Sequence, residues 1–471
     1  MTCIGGSLKR IFTILSILFF SVLSAPADEL KKITILQTAD IHSRTGTDVL
    51  PGIRQLASAL DSERKKAGGA GKCLLIDCGD VLQGSFAGSS SSGAVGLNFL
   101  NDLKYDAWIP GNHDFDFGTA RFLEIMKESY SPIIAANLYM DGKRLSVPWK
   151  ILVKDGVRIA VIGMTSPGLD RWHWGRSSYG IVASDISGPL DKIIPQVMES
   201  NCDMIILAVH QGLFQIDKDD LNLNMIAKKY PQIDIVLGAH SHQGAPGEIT
   251  GISSWYVQAQ PYCSSYSLIR AEVDTIKHKT VKIESMLVGV PQSGPASFKF
   301  STKMENLLSS TFQESRKEVV ILKNEITADQ LNKMTAESYF MASPKAVSTL
   351  LIPQERIVNP GKFTEEDLYW TFPFEDTVCT IELTDGELQG ILDEAAKLKD
   401  ETKIEFIKND RRPVSGNRNT VVLSSYLLAG AGGRIKTLAD FAKNPDCKAT
   451  DTGLAIRDAF RGYLKRNSAA R

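Results

Sequence analysis

Short apolar runs rich in Ile, Leu and Val recur from residue 31 to about residue 280, and helix-compatible stretches separate them. The runs occupy residues 33–36, 74–76, 159–162, 204–209 and 233–237. They show little alternation of apolar and polar residues, which is typical of strands buried on both faces of a layered α/β domain. This part of the chain is therefore predicted to be an α/β sandwich with helices outside.

The pattern changes towards the C-terminus. Residues 300–318 are polar and helix-compatible, which predicts a connecting helix, and after about residue 320 the sequence indicates a smaller α+β unit. A length of 471 residues fits two or three domains. We therefore predict a leader at 1–27, a first domain at 28–299, a linker helix at 300–320 and a second domain at 321–471.

The first 27 residues have the features of a secretory signal peptide. Two basic residues precede a 13-residue apolar run at 11–23, and the small residues at 25–27 offer a cleavage site. Thirteen residues are short for a bilayer span, which needs about 20, although an uncleaved anchor is the alternative. We expect a periplasmic or secreted protein with no stable membrane anchor after cleavage.

Composition excludes several classes of function. Lys and Arg total 53 against 54 Asp and Glu, a net charge of -1, so no strong field favours nucleic acid as a partner. With 43% hydrophobic and 23% charged residues the chain is not a disordered scaffold. The six cysteines after the leader lack metal-site spacing, and we interpret most of them as buried small apolar residues, with one disulfide left open.

Polar motifs that contain five of the seven histidines follow the apolar runs, and all seven histidines lie before residue 280. Ligands of sheet-based α/β folds gather outside the carboxyl ends of the strands. We therefore expect the motifs to converge on one rim of the first domain. The motifs are Asp40-Ile41-His42, Gly79-Asp80, Gly111-Asn112-His113-Asp114, His210-Gln211-Gly212 and Gly238-Ala239-His240-Ser241-His242.

The spacing within these motifs favours metal binding. Asp40 and His42 are two residues apart, as are His240 and His242, so each pair lies on one side of an extended segment. Carboxylate, imidazole and amide ligands without thiolate suit Zn, Mn, Fe or Co. Two such ions about 3.5–4 Å apart can clamp a displacement at phosphorus and lower the pKa of bound water.

This succession of motifs resembles the calcineurin-like metallophosphoesterases, and the string GNHDFDFG at 111–118 resembles the 5′-nucleotidase branch of periplasmic bacterial type. Residues 364–394 resemble the C-terminal substrate domain of that branch. The resemblance implies a four-layer αββα metallophosphoesterase sandwich with a smaller C-terminal α+β domain. It also implies an enzyme that hydrolyses a small-molecule phosphate ester by attack of a metal-activated hydroxide, with two divalent metal ions as cofactors.

Carried over motif by motif, the resemblance implies a role for each polar residue of the rim. His113 would stabilise the transferred phosphoryl group or protonate the leaving oxygen, and Asp116 would orient it. Asn112 would also bind substrate. One metal would be held by Asp40, His42, Asp80 and His242, and the second by Asp80, Asn112, His210 and His240. Independently of the resemblance, the planar guanidinium groups of Arg356 and Arg434 could each bind a phosphate or carboxylate of the substrate.

The substrate end departs from the nucleotidase pattern. Relatives that bind nucleosides stack the base between two aromatic residues, and here Val378 and Arg434 stand at those positions. We therefore expect weak selectivity for nucleotides. A strong preference for one nucleotide would indicate that Tyr426, Phe374 or the loop at 172–174 supplies the base pocket instead.

Two alternatives remain beside a 5′-nucleotidase-like phosphoesterase. The first is a sibling hydrolase for a non-nucleotide phosphomonoester, a cyclic phosphodiester or a thiosulfate ester. The second, from another class, is a non-catalytic surface-binding protein on the same scaffold. Metal content together with turnover of a generic aryl phosphate separates the enzymes from the binding protein.

Overall fold

The structure is a computed structural model that describes residues 30–46, 51–172, 174, 180–213, 222–292, 296–398, 403–412 and 417–468. The leader predicted at residues 1–27 lies outside the described residues. Within the described ranges, no helix is both long enough and apolar enough to cross a membrane.

The N-terminal part is built on two large β-sheets and one small one. The first sheet has the order β14-β13-β1-β2-β3, the second has the order β11-β12-β10-β9-β7-β6, and the small one has the order β5-β4-β8. The strands are β1 (Leu30–Thr38), β2 (Cys73–Asp77), β3 (Ala107–Trp108), β4 (Leu138–Met140), β5 (Lys143–Arg144), β6 (Trp149–Lys154), β7 (Val157–Met164), β8 (Ile181–Ala183), β9 (Met204–Val209), β10 (Ile235–Leu237), β11 (Ala245–Thr250), β12 (Ser254–Gln258), β13 (Ser265–Asp274) and β14 (Lys279–Gly289).

Parallel pairing places the carboxyl ends of the central strands side by side. In the first sheet β1 is parallel to β2 and β2 is parallel to β3. In the second sheet β9 is parallel to both β7 and β10. The loops that follow these strands therefore emerge along one edge of each sheet, where the polar motifs lie.

Helices cover the outer faces of the two sheets. They are α1 (Ile53–Lys66), α2 (Phe86–Ser90), α3 (Ala94–Leu103), α4 (Thr119–Glu128), α5 (Ser187–Met198), α6 (Leu223–Lys229) and α7 (Thr302–Ser315). The last of these, α7, occupies the stretch where the sequence predicts a linker helix.

Three apolar layers hold this arrangement together. Ile35 of the first sheet and Ile206 of the second belong to the core between the sheets. The other face of the first sheet packs under α1 and α3, and the other face of the second packs under α5 and α6. The strands are buried on both faces, as their unbroken apolar runs predict. The predicted α/β class and αββα layering are confirmed.

The C-terminal part is a smaller α+β unit around a five-stranded sheet of order β19-β16-β20-β18-β21, with β15 and β17 paired separately. Its strands are β15 (Glu318–Leu322), β16 (Ser348–Leu351), β17 (Gly361–Thr364), β18 (Thr377–Leu383), β19 (Glu405–Lys408), β20 (Asn419–Ser424) and β21 (Thr450–Ala455). Its helices are α8 (Ala328–Ala342), α9 (Glu365–Thr371), α10 (Asp385–Ala395), α11 (Ser425–Leu428), α12 (Lys436–Lys443) and α13 (Ile456–Ser468).

The two parts meet beside the polar rim. The guanidinium of Arg44 lies between the rings of Tyr262 and Trp370, 4.4 and 4.6 Å from their centroids, and Trp370 belongs to α9 of the C-terminal part. The amide of Gln83 donates a hydrogen bond to the carbonyl of Pro373 at 2.6 Å. These contacts seat the segment that precedes β18 against the rim.

The cysteines of the described residues are free thiols. Five of the six are buried, and Cys202 is partly exposed. The interpretation of most cysteines as small apolar residues agrees with this burial, and none of these six forms the disulfide that the sequence left open.

Candidate metal centre and adjoining cavity

The polar motifs converge on one rim, as expected from their positions after the strands. Six side chains form two groups that could each hold a metal ion, and within each group the ligand atoms lie within 4.8 Å of one another. The first group is Asp40, His42 and His242, and the second is Asp80, His210 and His240. Each group combines residues that follow strands of both sheets, so the rim closes across the sandwich.

In the first group two imidazole nitrogens face each other. Nε2 of His42 lies 3.2 Å from Nε2 of His242, which in turn lies 3.6 Å from Oδ1 of Asp40. Nδ1 of His42 is 2.8 Å from the carbonyl oxygen of Gln83, an acceptor, so Nδ1 carries the proton. The lone pair of Nε2 therefore points towards the second imidazole and the carboxylate.

The second group repeats this arrangement. Nδ1 of His210 donates to the carbonyl of Cys78 at 2.7 Å, and its Nε2 points at Oδ2 of Asp80 at 3.1 Å. Metal-ligating histidines typically donate the other ring N–H to a backbone carbonyl in this way. Because lone pairs and carboxylates converge in both groups, the residues fit divalent cations of the kind that nitrogen and oxygen ligands prefer.

Five of the six ligand residues have left-handed backbone conformations. Their φ values lie between 53° and 68° in Asp40, His42, Asp80, His240 and His242. Such a conformation is uncommon for any residue other than Gly, and strained backbone of this kind clusters at functional sites. It turns each side chain sharply out of the strand direction and towards the rim.

Two glycines let the loops approach closely enough to form the second group. A Cβ on Gly79, whose φ is 97°, would lie 2.7 Å from Nδ1 of His210. A Cβ on Gly111 would lie 2.2 Å from Oδ1 of Asp80. The carboxylate of Asp114 secures the same loops by accepting hydrogen bonds from the backbone N–H groups of 80, 81, 82 and 111.

Burial sets the protonation of the ligands. Burial lowers the pKa of His42 and of His240 to about 3, so both imidazoles are neutral at physiological pH. Burial raises the pKa of Asp40 to about 7. Burial acts most strongly on Asp80 and raises its pKa, but the charges of His210 and His113 together with the hydrogen bond from His210 outweigh burial and hold the pKa of Asp80 well below its usual range.

His113 lies next to both groups but belongs to neither. It lies in a short 3₁₀ turn that begins at Asn112 after β3, and its Nδ1 lies 3.0 Å from Oδ2 of Asp116. Its backbone N–H donates to Oδ1 of Asp80 at 2.8 Å. Burial alone would lower the pKa of His113, but the negative charges of Asp116 and Asp80 raise it to about 10. Asn112, which precedes it, is fully buried beside the second group.

Comparison with known proteins identifies this architecture. Residues 33–244 match the calcineurin-like phosphoesterase family. Residues 33–244 are therefore a calcineurin-like phosphoesterase domain within the N-terminal part. All six ligand residues lie inside the matched segment.

Several relatives of the phosphoesterase domain are 5′-nucleotidases. The human 5′-nucleotidase is 30% identical over 236 residues, 46% of this chain and 39% of that protein. The Vibrio cholerae 5′-nucleotidase is 29% identical over 232 residues, 46% of this chain and 41% of that protein. The chain thus matches only about two fifths of the length of these relatives. A Thermus thermophilus 5′-nucleotidase precursor shares the fold with a TM-score of 0.68 at 17% identity, over 93% of this chain and 97% of its own.

A cavity of ≈ 160 Å³ opens between the phosphoesterase domain and the C-terminal part, directly beside His113. Its lining is mostly aromatic and acidic, and comprises His113, Asp116, Trp172, Phe374, Glu375, Asp376, Ser425 and Tyr426. Phe374 stacks on His113 with ring centroids 5.8 Å apart. Trp172 lies 5.5 Å from His240 and 6.4 Å from Tyr426.

These aromatic side chains change the expectation for the substrate end. Val378 is fully buried in the C-terminal core, so its identity says nothing about the cavity wall. Phe374, Tyr426 and Trp172 line the cavity instead, which the sequence had offered only as the alternative. Their convergence depends on how the two parts dock, and no local motif signals it. His173 of the 172–174 loop lies outside the described residues.

The two arginines predicted to bind substrate lie in different surroundings. Nη1 of Arg434 donates to the hydroxyl of Tyr426 at 3.0 Å, which places it behind one wall of the cavity. Arg356 pairs with Asp367 of α9, with Nη2 3.3 Å from Oδ1, and is not part of the described cavity lining. Substrate binding by either arginine stays a prediction.

Proposed function

We propose that this chain hydrolyses phosphate esters as a dinuclear-metal phosphoesterase of the 5′-nucleotidase type. One observation carries the proposal: two neighbouring groups of imidazoles and carboxylates, each compact enough to hold an ion, lie beside a histidine that belongs to neither group. The relatives named 5′-nucleotidases support the same class of reaction. Phosphomonoesters, nucleotides among them, are the substrates to test first.

In this proposal Asp80 is the ligand shared by both ions. The other ligands of one ion are Asp40, His42 and His242, and those of the second are Asn112, His210 and His240. Divalent cations bound there would lower the pKa of a water molecule and neutralise charge on the phosphoryl oxygens. Oδ2 of Asp80 faces His210 of the second group, and its negative charge also acts on His42 of the first group, which supports a position between the two.

The proposed part of His113 is proton transfer. The carboxylate of Asp116 holds Nδ1, which leaves Nε2 as the ring atom available to the substrate. As the oxygen of water bonds to phosphorus and the ester P–O bond breaks, Nε2 gives its proton to the departing alkoxide and the alcohol leaves neutral. General acid assistance of this kind typically contributes about 10²–10⁴ in rate.

The decisive experiment measures bound metal and release of p-nitrophenol from p-nitrophenyl phosphate on the same samples. Asp80→Asn should bind less metal at both sites and lose hydrolysis. Asp440→Asn, which removes an exposed carboxylate on α12 that pairs only with Lys436 in the described chain, is the matched control. Near-normal turnover by Asp80→Asn with two ions bound contradicts the shared-ligand assignment.

The same samples separate the alternatives. A protein that retains two equivalents of metal but turns over neither aryl phosphates, nucleotides, cyclic nucleotides nor thiosulfate esters is a binding protein on this scaffold. Activity confined to a cyclic phosphodiester or a thiosulfate ester assigns a sibling hydrolase.

We also propose that the protein is exported by the signal at residues 1–27. Support comes from the order of basic, apolar and small residues in the sequence. N-terminal sequencing of the protein from the periplasm or medium should begin at Asp28. An intact leader on protein recovered with the membrane fraction contradicts cleavage.

A further inference from the structure

The cavity beside His113 has walls that suit a cation. Phe374, Trp172 and Tyr426 present three aromatic rings to a volume of ≈ 160 Å³. The face of an aromatic ring carries negative potential and attracts ammonium groups, and quaternary ammonium ligands are commonly held in aromatic cages. Phe374 stacks on His113 and Trp172 lies against His240, so the aromatic walls of the cavity adjoin the proposed catalytic centre.

The three carboxylates of the lining are not equally neutralised. Glu375 forms an ion pair with Arg457, and Asp116 is hydrogen bonded to His113. Asp376 instead accepts two hydrogen bonds from neutral groups, the hydroxyl of Ser425 at 2.7 Å and the backbone N–H of Tyr426 at 2.9 Å. Among the described residues, no basic side chain forms an ion pair with Asp376.

Both hydrogen bonds to Asp376 end on Oδ1. Oδ2 is left for a ligand, and Asp376 lines the cavity. Burial raises the pKa of Asp376 to about 6, with the nearby charges of Asp116 and Glu375 acting in the same direction. The environment of Asp376 therefore disfavours its negative charge at neutral pH. A cation bound nearby would stabilise that charge.

We propose that this cavity binds the cationic end of the substrate alcohol, so that the favoured phosphomonoesters are those of short amino alcohols or quaternary ammonium alcohols. This inference rests on the proposed function, and it identifies the alcohol that leaves when the phosphate ester is hydrolysed. The phosphoryl group lies at the metal centre, the ester oxygen faces His113, and the cation lies among Phe374, Trp172 and Tyr426 with Asp376 as its counter-ion. Because the aromatic walls lie directly beside His113, a short carbon chain is enough to join the ester oxygen to the cation.

A neutral planar base would use the cavity differently. It would gain stacking on the aromatic walls, which requires a π face but no positive charge. The carboxylate of Asp376 would contribute little to a neutral ring but much to a cation. The sign of the ligand charge is therefore the property to test.

Phosphocholine and 3,3-dimethylbutyl phosphate make a matched pair of probes, because they have the same shape and differ by a nitrogen cation in place of a carbon. We expect the metal-loaded enzyme to hydrolyse phosphocholine with a kcat/KM at least tenfold higher. Asp376→Asn keeps an acceptor for both hydrogen bonds and should reduce that ratio below threefold. Asp440→Asn should retain the parent ratio, and p-nitrophenyl phosphate reports hydrolysis independently of the cation.

Equal kcat/KM for the two probes, or an unchanged ratio in Asp376→Asn, overturns the cation site. So does a preference above tenfold for AMP over phosphocholine, which would assign the cavity to a nucleobase. If p-nitrophenyl phosphate is not hydrolysed, the proposed function fails, and the cavity is then tested by calorimetry with choline and 3,3-dimethylbutanol. Tighter binding of choline supports the cation site, and equal or absent binding overturns it.

Discussion

His113 differs from the histidines around it in the partner of its Nδ1. His42 and His210 donate Nδ1–H to backbone carbonyls, which fixes the tautomer of a metal ligand. His113 is paired with the carboxylate of Asp116, which favours the protonated imidazole. Burial lowers the pKa of His210, but without a bound ion the charge of Asp80 outweighs burial and raises it to about 9, so His210 would release its Nε2 proton when it binds an ion, whereas His113 is placed to keep its proton for the substrate.

The first prediction concerns the proton of His113. His113→Ala should lower kcat for a phosphomonoester of an aliphatic alcohol by about 10²–10⁴, the usual scale of acid–base assistance, with metal content unchanged. Asp116→Asn should lower kcat less, because the imidazole remains but its orientation and basicity are weakened. Elemental analysis beside initial-rate kinetics provides the check, and loss of one equivalent of metal in His113→Ala would make that residue a ligand.

A second prediction concerns the buried charge of Asp376. Its pKa of about 6 in the folded protein lies above the ordinary 3.8, so the folded state holds the proton more tightly. The stability that this provides is present below pH 3.8 and is lost as the pH rises to about 6. Asp376→Asn should match the parent at pH 4 and exceed its free energy of unfolding by about 1–3 kcal/mol at pH 7.5.

Urea unfolding at the two pH values measures this difference, and the amide oxygen of Asn can still accept both hydrogen bonds. Equal destabilisation of Asp376→Asn at pH 4 and 7.5 would mean that the carboxylate serves as a structural acceptor. In that case the ionised carboxylate does not destabilise the folded protein, and a bound cation would have no such destabilisation to relieve.

At the scale of elements, α13 holds the segment between α9 and β18 that carries Phe374 and Asp376. Nη1 of Arg457 donates to the carbonyls of Phe372 and Phe374 at 2.9 and 3.0 Å. Nη2 donates to Oγ of Ser89 in α2 at 2.8 Å and to the carboxylate of Glu375. One guanidinium therefore ties the segment to both parts of the chain.

Arg457→Ala should loosen this segment. Loss of the guanidinium leaves Glu375 and two carbonyls without their partner, which should lower the free energy of unfolding by about 2–4 kcal/mol. KM for p-nitrophenyl phosphate should rise, because Phe374 is no longer held over His113, while metal content stays constant. Arg461→Ala on the same helix removes a pair with Glu365 and is the control. Equal effects of the two variants on KM would contradict the assignment.

At the scale of the whole molecule, metal ions would join the two sheets of the sandwich. In each ligand group, acidic residues follow strands of the first sheet and at least one histidine follows a strand of the second. A cation that binds only the folded chain stabilises it, by about 2.7 kcal/mol at 100 times its Kd. Metal occupancy should therefore be visible in the unfolding of the phosphoesterase domain.

Calorimetry with and without EDTA tests this coupling. Saturation with Zn²⁺ or Mn²⁺ should raise Tm by about 5–10 °C over the chelated protein. Asp80→Asn should show a much smaller rise, and Asp440→Asn should show the parent rise. Identical Tm values for chelated and loaded parent protein would mean that the rim holds no structural cation.

Much of this architecture follows from the sequence. The apolar runs predict doubly buried strands because an inner strand has no polar face, and the motifs after them predict the rim because parallel strands end together. The aromatic lining could not be predicted in this way. Phe374, Tyr426 and Trp172 lie far apart in the chain, and Trp172 meets the other two only through the docking of the two parts. The expectation that Val378 replaces an aromatic wall concerned a side chain that is buried in the core.

The left-handed backbone of five metal-ligand residues has an evolutionary consequence. Each such residue destabilises the chain by roughly 1–2 kcal/mol relative to glycine in that conformation. If the rim had no function, substitutions of these residues by glycine would stabilise the protein at no cost in activity, and they would accumulate over time. The presence of Asp40, His42, Asp80, His240 and His242 together in one chain is therefore expected if the rim binds the proposed ions, and is not expected of an inert scaffold.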